Sequence, residues 1–166
     1  MGAAEDTGHD GAATAAGGAL AGLPGVLGVD HVGVAVADLD EALRWYADVL
    51  GLVCTHRERN DEQQVDEAMV AAPDAGRGAT LVQLLAPTSP TSPIARFLDR
   101  SGPGLQQLAV RVVDVEAAAA HLRGRGVRVL SDTPRRGTGG SRVVFAHPKD
   151  CGGVLVELVE PVGALP

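Results

Sequence analysis

The chain repeats itself. Residues 29–43, VDHVGVAVADLDEAL, lie over residues 105–119, LQQLAVRVVDVEAAA, at an offset of 76, with Asp38 over Asp114 and Asp40 over Glu116. A second pair follows at an offset of 74, where LVQLLAP (81–87) lies over LVELVEP (155–161) and Gln83 over Glu157. Matched starts and matched ends predict that one folding unit occurs twice. A chain of 166 residues with 45% hydrophobic content agrees, since it is long enough for one core or two small fused modules and no more.

Each half opens on a strand in period-two alternation. Val32, Val34 and Val36 share one face, His31, Gly33 and Ala35 the other; Leu108, Val110 and Val112 oppose Gln107, Ala109 and Arg111 in the second copy. A helix follows each strand, capped by Asp38 and stopped by Gly51 in the first half, capped by Asp114 and stopped by Gly126 in the second. Three further apolar runs complete each half, at 52–58, 66–72 and 79–86, and at 127–131, 141–146 and 153–160. The expected fold is α+β: two tandem βαβββ modules, 28–87 and 104–161, forming one curved mixed sheet around a central cavity. Ser92 and Pro93 predict a linker helix over 92–100 between them. The modules make a single domain over 27–161, preceded by an Ala/Gly-rich tail, 1–26, that lacks a sustained apolar period and is expected to be disordered.

Several classes are excluded. A net charge of −7 and four aromatic residues, Trp45, Tyr46, Phe97 and Phe145, leave little to attract or stack nucleic acid. No apolar run reaches the length of a membrane span and no basic segment precedes an apolar one at the start, so a cytoplasmic protein is expected. Cys54 and Cys151 form neither a disulfide framework nor a CxxC motif, and Cys151 is expected to be the more exposed.

The chemistry is expected where the duplicated strands place polar groups among apolar ones. With the valine faces consumed by the helices, opening strands bring His31 and Gln107, and closing strands Gln83 and Glu157, toward the cavity. A carboxylate buried alone costs several kcal/mol, so each of these groups needs a partner. One imidazole, one carboxylate and two amide oxygens converging on a point can hold a divalent cation. The alternative is an edge-strand Glu157 facing solvent and a His31 bonded to a carbonyl.

The sequence resembles the methylmalonyl-CoA epimerases, a family of the vicinal oxygen chelate (glyoxalase-fold) superfamily, over residues 28–161. The resemblance is carried by DHVGVAVADLDEA (30–42), EQQVDEAM (62–69), QLLAP with SPIARFLD (83–87 and 92–99) and PRRGTGGSRVVFAHPKDCGGVLVELVEP (134–161). It implies a metal-dependent epimerisation of methylmalonyl-CoA through an enolate, with Co2+ as the metal or Mg2+, Mn2+, Ni2+ or Zn2+ in its place. The implied ligands are His31, Gln83, Gln107 and Glu157, and the implied assembly is a homodimer. At 104–107 the family pattern GLHH reads GLQQ here, so the fourth ligand is a neutral amide, harder and weaker than imidazole. A glyoxalase I site, with Glu at 83 and His at 107, and an extradiol dioxygenase site, with two His and a carboxylate on iron, fit the sequence less well.

Epimerisation requires two bases on opposite faces of the α-carbon, and the resemblance implies Glu67 as one and Glu157 as the other. Arg135, Arg136, Arg142 and Lys149, set among Gly137, Gly139 and Gly140, are expected to bind the coenzyme A arm or the substrate carboxylate. Two other readings keep the fold: an isomerase for another acyl-CoA or biosynthetic intermediate, and a binding protein without turnover.

Overall fold

A computed structural model describes residues 22–163. The first half runs β1 (Val26–Ala35), α1 (Leu39–Leu50), β2 (Val53–Asn60), β3 (Val65–Ala71) and β4 (Leu81–Pro87). Helix α2 (Pro93–Ser101) then leads to β5 (Gly104–Val112), α3 (Val115–Gly124), β6 (Arg135–Arg136), β7 (Arg142–Ala146) and β8 (Leu155–Glu160). All eight strands form one mixed sheet in the order β2-β3-β4-β1-β5-β8-β7-β6. The order reads the same outward from its centre in both halves. Residues 1–21 of the expected tail lie outside the described residues.

Local chemistry explains the element boundaries. Asp38 caps α1 by accepting from the Glu41 N–H at 2.8 Å, and Gly51 ends it in the left-handed conformation. Asp114 caps α3 in the same way through the Glu116 and Ala117 N–H groups, and the Ser92 hydroxyl caps α2. Each parallel pair, β1 with β4 and β5 with β8, is bridged by a helical crossover, as parallel strands require. The two halves meet at the antiparallel pair β1 and β5.

The outward face of each half-sheet packs on its helix. Leu39 of α1 joins Ala68, Val70, Leu84 and Ala86, with Val34, Ala42, Leu43 and Tyr46 around them. Val115, Ala118 and Ala119 of α3 join Val112, Val144 and Leu158. Burying Leu84 or Leu158 completely contributes about 1.5–3 kcal/mol each. With these faces committed, the opposite face is left to line the cavity.

Two expectations are corrected. Residues 127–131 do not form a strand: Val129 makes a single bridge to Ala146, with the Leu130 N–H donating to the Phe145 carbonyl and the His147 N–H to the Arg128 carbonyl. The turn Ser131–Pro134 interrupts the pairing, Pro134 having no N–H to offer, and the edge resumes only at Arg135–Arg136. Cys54 is exposed and Cys151 only half-buried, the reverse of the expected ranking, because Cys54 sits on the edge strand β2 whereas Cys151 closes a turn.

Candidate active site

Gln83 of β4, Gln107 of β5 and Glu157 of β8 line the main cavity, His31 of β1 stands behind them on a second one, and all four are buried. The Gln107 Nε2 donates to Glu157 Oε2 at 2.6 Å and to Gln83 Oε1 at 3.2 Å, and lies 3.4 Å from His31 Nε2. His31 spans two carboxylates, Nδ1 at 2.8 Å from Asp30 Oδ1 and Nε2 at 3.1 Å from Glu157 Oε2, while Arg111 Nε donates to the far oxygen of Asp30. Gln83 turns its Nε2 the other way, to Glu67 Oε2 at 2.9 Å and the Thr138 hydroxyl oxygen at 2.8 Å. That hydroxyl donates in turn to Glu67 Oε1 at 2.9 Å. The two carboxyl groups implied as bases, Glu67 and Glu157, are therefore linked through the two glutamine amides.

The backbone makes room for this arrangement. Gly33 faces Gln107 across the central strand pair, and a Cβ on Gly33 would lie 2.5 Å from Gln107 Cγ and 3.3 Å from a Leu85 methyl. A register shift beside the same pair, between Gly33 and Val34, leaves Gln106 without an opposite residue and lets both Gln106 and Gln107 line the cavity. Gly33→Ala is expected to drive the Gln107 amide off the centre and to lower stability by about 1–3 kcal/mol, measured by denaturant unfolding, with the displacement visible in a crystal structure.

The donor set, one imidazole with a carboxylate and two amide oxygens, fits a divalent cation. Among the described residues no cluster of three or more His, Cys, Asp and Glu side chains is placed to hold a metal, so the two glutamines are required. The Gln83 amide N–H groups are committed to Glu67 and Thr138, which fixes its oxygen toward the centre. Asp30 accepts from His31 Nδ1 and leaves Nε2 directed inward, the arrangement that orients histidine ligands. The Gln107 amide nitrogen occupies the common centre, and rotation of that amide by half a turn presents an oxygen instead.

Electrostatics follow from burial and partners. Burial raises the Glu67 carboxyl; the Thr138 hydroxyl works against it, the charges of Glu58 and Glu157 add to it, and the group stands at about 7. Burial works to lower His31, but Asp30 and Glu157 outweigh it and raise the imidazole to about 9. Across this range both groups bind more protons in the folded than in the unfolded state, so stability falls as pH rises. For protein stripped of divalent ions, the loss is expected through Glu67 between its ordinary 4.5 and about 7, and through His31 between 6.5 and about 9. Each contributes on the order of a few kcal/mol, read as a falling Tm in a pH series.

A profile of the Glyoxalase/Bleomycin resistance protein/Dioxygenase superfamily matches residues 30–145. Methylmalonyl-CoA epimerase from Mycobacterium tuberculosis has 54% sequence identity and a TM-score of 0.78, over 83% of this chain and 90% of that one. A variant of the Streptomyces coelicolor methylmalonyl-CoA epimerase in complex with 2-nitronate-propionyl-CoA has 44% identity and a TM-score of 0.79, over 83% and 99%. The mitochondrial methylmalonyl-CoA epimerase of Mus musculus is 39% identical over 131 residues, 78% of this chain and 71% of its own. This chain belongs to the methylmalonyl-CoA epimerase family of that superfamily.

Their clustering in the sequence put four basic residues at the site, and the structure separates them. Arg135 lines the main cavity, of about 350 Å³, together with Glu67, Gln83, Gln107 and Glu157. Arg136 is not among the residues lining it and stands 3.6 Å from Glu58. Arg142 points away, paired with Glu116 at 2.6 Å and Glu160 at 3.2 Å, and Lys149 sits in a turn off the cavity. Arg142 and Lys149 are thus corrected: alternation along β7 turns Arg142 to the helix-covered face, where carboxylates already hold it.

The same epimerase fold brings in three residues that the sequence did not single out. Thr138 reaches Glu67 from the second half, Gln106 lines the cavity with a buried amide oxygen lacking a partner, and Glu58 lies opposite Glu67 on β2. A polar residue framed by glycines, GTGG, marked the first. Period-two spacing of His56, Glu58 and Asn60 within THRERN marked the last.

Proposed function

We propose that this chain epimerises methylmalonyl-CoA at its α-carbon. The observation that carries the reading is the pair of buried carboxyl groups, Glu67 and Glu157, on one cavity and joined through Gln83 and Gln107. The identity to the epimerases of Mycobacterium tuberculosis and Streptomyces coelicolor supports it.

In this mechanism Glu67 takes the α-proton from one face and Glu157 returns a proton from the other, or the reverse for the opposite epimer. Glu67 suits the removal of a proton from a weakly acidic C–H because its pKa lies near neutrality. Thr138 and Gln83 hold its two oxygens, so the lone pair that meets substrate has a fixed direction. A divalent ion held by His31, Gln83, Gln107 and Glu157 would supply electrostatic stabilisation of charge developing on the thioester oxygen. We assign Co2+ to that role, with Mg2+, Mn2+, Ni2+ and Zn2+ as substitutes. Arg135, on the cavity wall, would receive an anionic part of the coenzyme A thioester, with Arg136 next to it in the chain.

The reading includes one domain over 27–161 made of the two modules, a cytoplasmic setting and a homodimer. In support of the last, Trp45 and Val49, one helical turn apart on α1, are 51% and 60% exposed. Among the described residues no helix is long and apolar enough to cross a membrane.

The test is α-proton exchange. Full-length protein supplied with Co2+, Mg2+ or Mn2+ and one epimer of methylmalonyl-CoA in deuterated buffer is expected to wash deuterium into the α-position and form the other epimer. Absence of both would overturn the assignment and leave a binding protein. Because Glu67 acts ionised, the abstraction rate is expected to rise with pH and then level, in a kcat/KM profile for the epimer it deprotonates, the bound cation placing the bend below the value of about 7 that holds without it.

A further inference from the structure

One half-buried group is used by nothing described so far. Glu58 is the cross-strand partner of Glu67 in the β2–β3 register. Its Oε2 is occupied, by His56 Nε2 at 2.7 Å and the Gly139 N–H at 3.2 Å. Its Oε1 is buried without any hydrogen bond, the nearest cation, Arg136 Nη2, standing 3.6 Å away. A buried carboxylate oxygen left without a donor is costly and calls for an explanation. The residue opposite it across the strand pair is Glu67, which holds a proton once it has deprotonated substrate, so the missing donor is that proton.

The same three residues climb from the interior to the surface. Glu67 is 3% exposed, the Glu58 side chain 15% and the His56 side chain 43%. His56 also lines a second, smaller cavity of about 310 Å³, shared with Asp30, His31 and Gly139 and separate in most of its lining from the main one. The other partners of Glu67 lead nowhere: Gln83 offers an amide that cannot pass a proton on, and the Thr138 hydroxyl oxygen is taken by that same amide. The charged groups around Glu58 are His56 on its own strand, Glu67 on β3 and Arg136 on β6. Burial works to raise Glu58, but His56, the Gly139 N–H and Arg136 outweigh it, so it stands ionised and ready to accept.

We propose that Glu58 and His56 form a proton relay between the base Glu67 and solvent on the side away from substrate. The inference rests on the assignment of Glu67 as a base. In the outward direction the Glu67 carboxylic acid gives its proton to Glu58 Oε1. Rotation of the Glu58 carboxyl brings that proton to the Nε2 of neutral His56, and the resulting imidazolium releases its Nδ1 proton to water. One proton moves from Glu67 to solvent, no other bond changes, and the reverse sequence reloads Glu67. Glu58 and His56 are positioning and relay residues that do not touch substrate.

The experiment compares two rates in deuterated buffer, with full-length protein and added Co2+: deuterium wash-in to unconverted starting epimer, and conversion to the other epimer. In the unaltered protein, wash-in is expected to keep pace with conversion for the epimer whose proton Glu67 takes. Glu58→Gln is expected to lower the ratio of wash-in to conversion by about tenfold or more for that epimer, and to leave the ratio for the other epimer unchanged. His56→Gln is expected to lower it too, and imidazole added to the buffer to restore it. A fall of both rates with the ratio intact, or no recovery with imidazole, would show a merely structural role and overturn the relay. Conversion without wash-in in the unaltered protein would also overturn it while leaving the epimerase reading standing. If the unaltered protein gives neither process, or Glu67→Gln keeps both, the assignment of Glu67 itself has failed.

Discussion

Replacing Glu67 by glutamine is expected to slow α-proton exchange by about 10²–10⁴-fold for the epimer that it deprotonates, the usual weight of a positioned general base. The change is nearly isosteric, and the new amide oxygen can still accept from Thr138. Its amide group would face the Gln83 amide nitrogen, which costs one hydrogen bond, about 1 kcal/mol. Against that, the native state no longer has to hold a buried carboxylate above about pH 7, so stability there is expected to change little. Loss of exchange with an unchanged denaturation midpoint at pH 8 therefore separates chemistry from folding. Retention of exchange in the variant would remove Glu67 from the mechanism.

The second large effect concerns the cation. Gln107→His exchanges a neutral amide for an imidazole at the point where Glu157, Gln83 and His31 converge, and is expected to tighten Co2+ binding by roughly 10–100-fold while leaving Mg2+ affinity nearly unchanged. Isothermal titration with each ion reads this directly. Because His31 stands at about 9, binding must also expel a proton from its ring, so affinity for either ion is expected to rise with pH up to that value. Equal affinities in the two proteins would mean that the four side chains do not form the cation site.

What the sequence revealed, and what it hid, divides along the reach of local chemistry. Period-two patterning placed His31, Gly33 and Ala35 on the face opposite the valines, and the duplication then tied Gln107, Gln83 and Glu157 to equivalent positions; the structure brings all four together. Caps and stops of α1 were legible because Asp38 and Gly51 act on their own neighbours. The irregularity beside Gly33 was not, since it depends on how two strands 76 residues apart come into register. Nor was the role of Thr138, whose hydroxyl meets Glu67 only after the second module has docked on the first. Arg142 and Lys149 looked like companions of Arg135 on spacing alone, but strand alternation and the carboxylates of Glu116 and Glu160 settle Arg142 elsewhere.

The pairing of β1 with β5 is the hinge on which both halves depend. Within each half that strand would be an outer edge, with β4 or β8 on one side and open backbone on the other. His31 and Gln107 both lie on it, so the seam that conceals those edges is also the place where two incomplete sets of donors become one. Severing the chain between Pro87 and Gly104 would consequently yield two fragments with matching sticky borders, each carrying half of a reaction centre and recovering it only in the other's company.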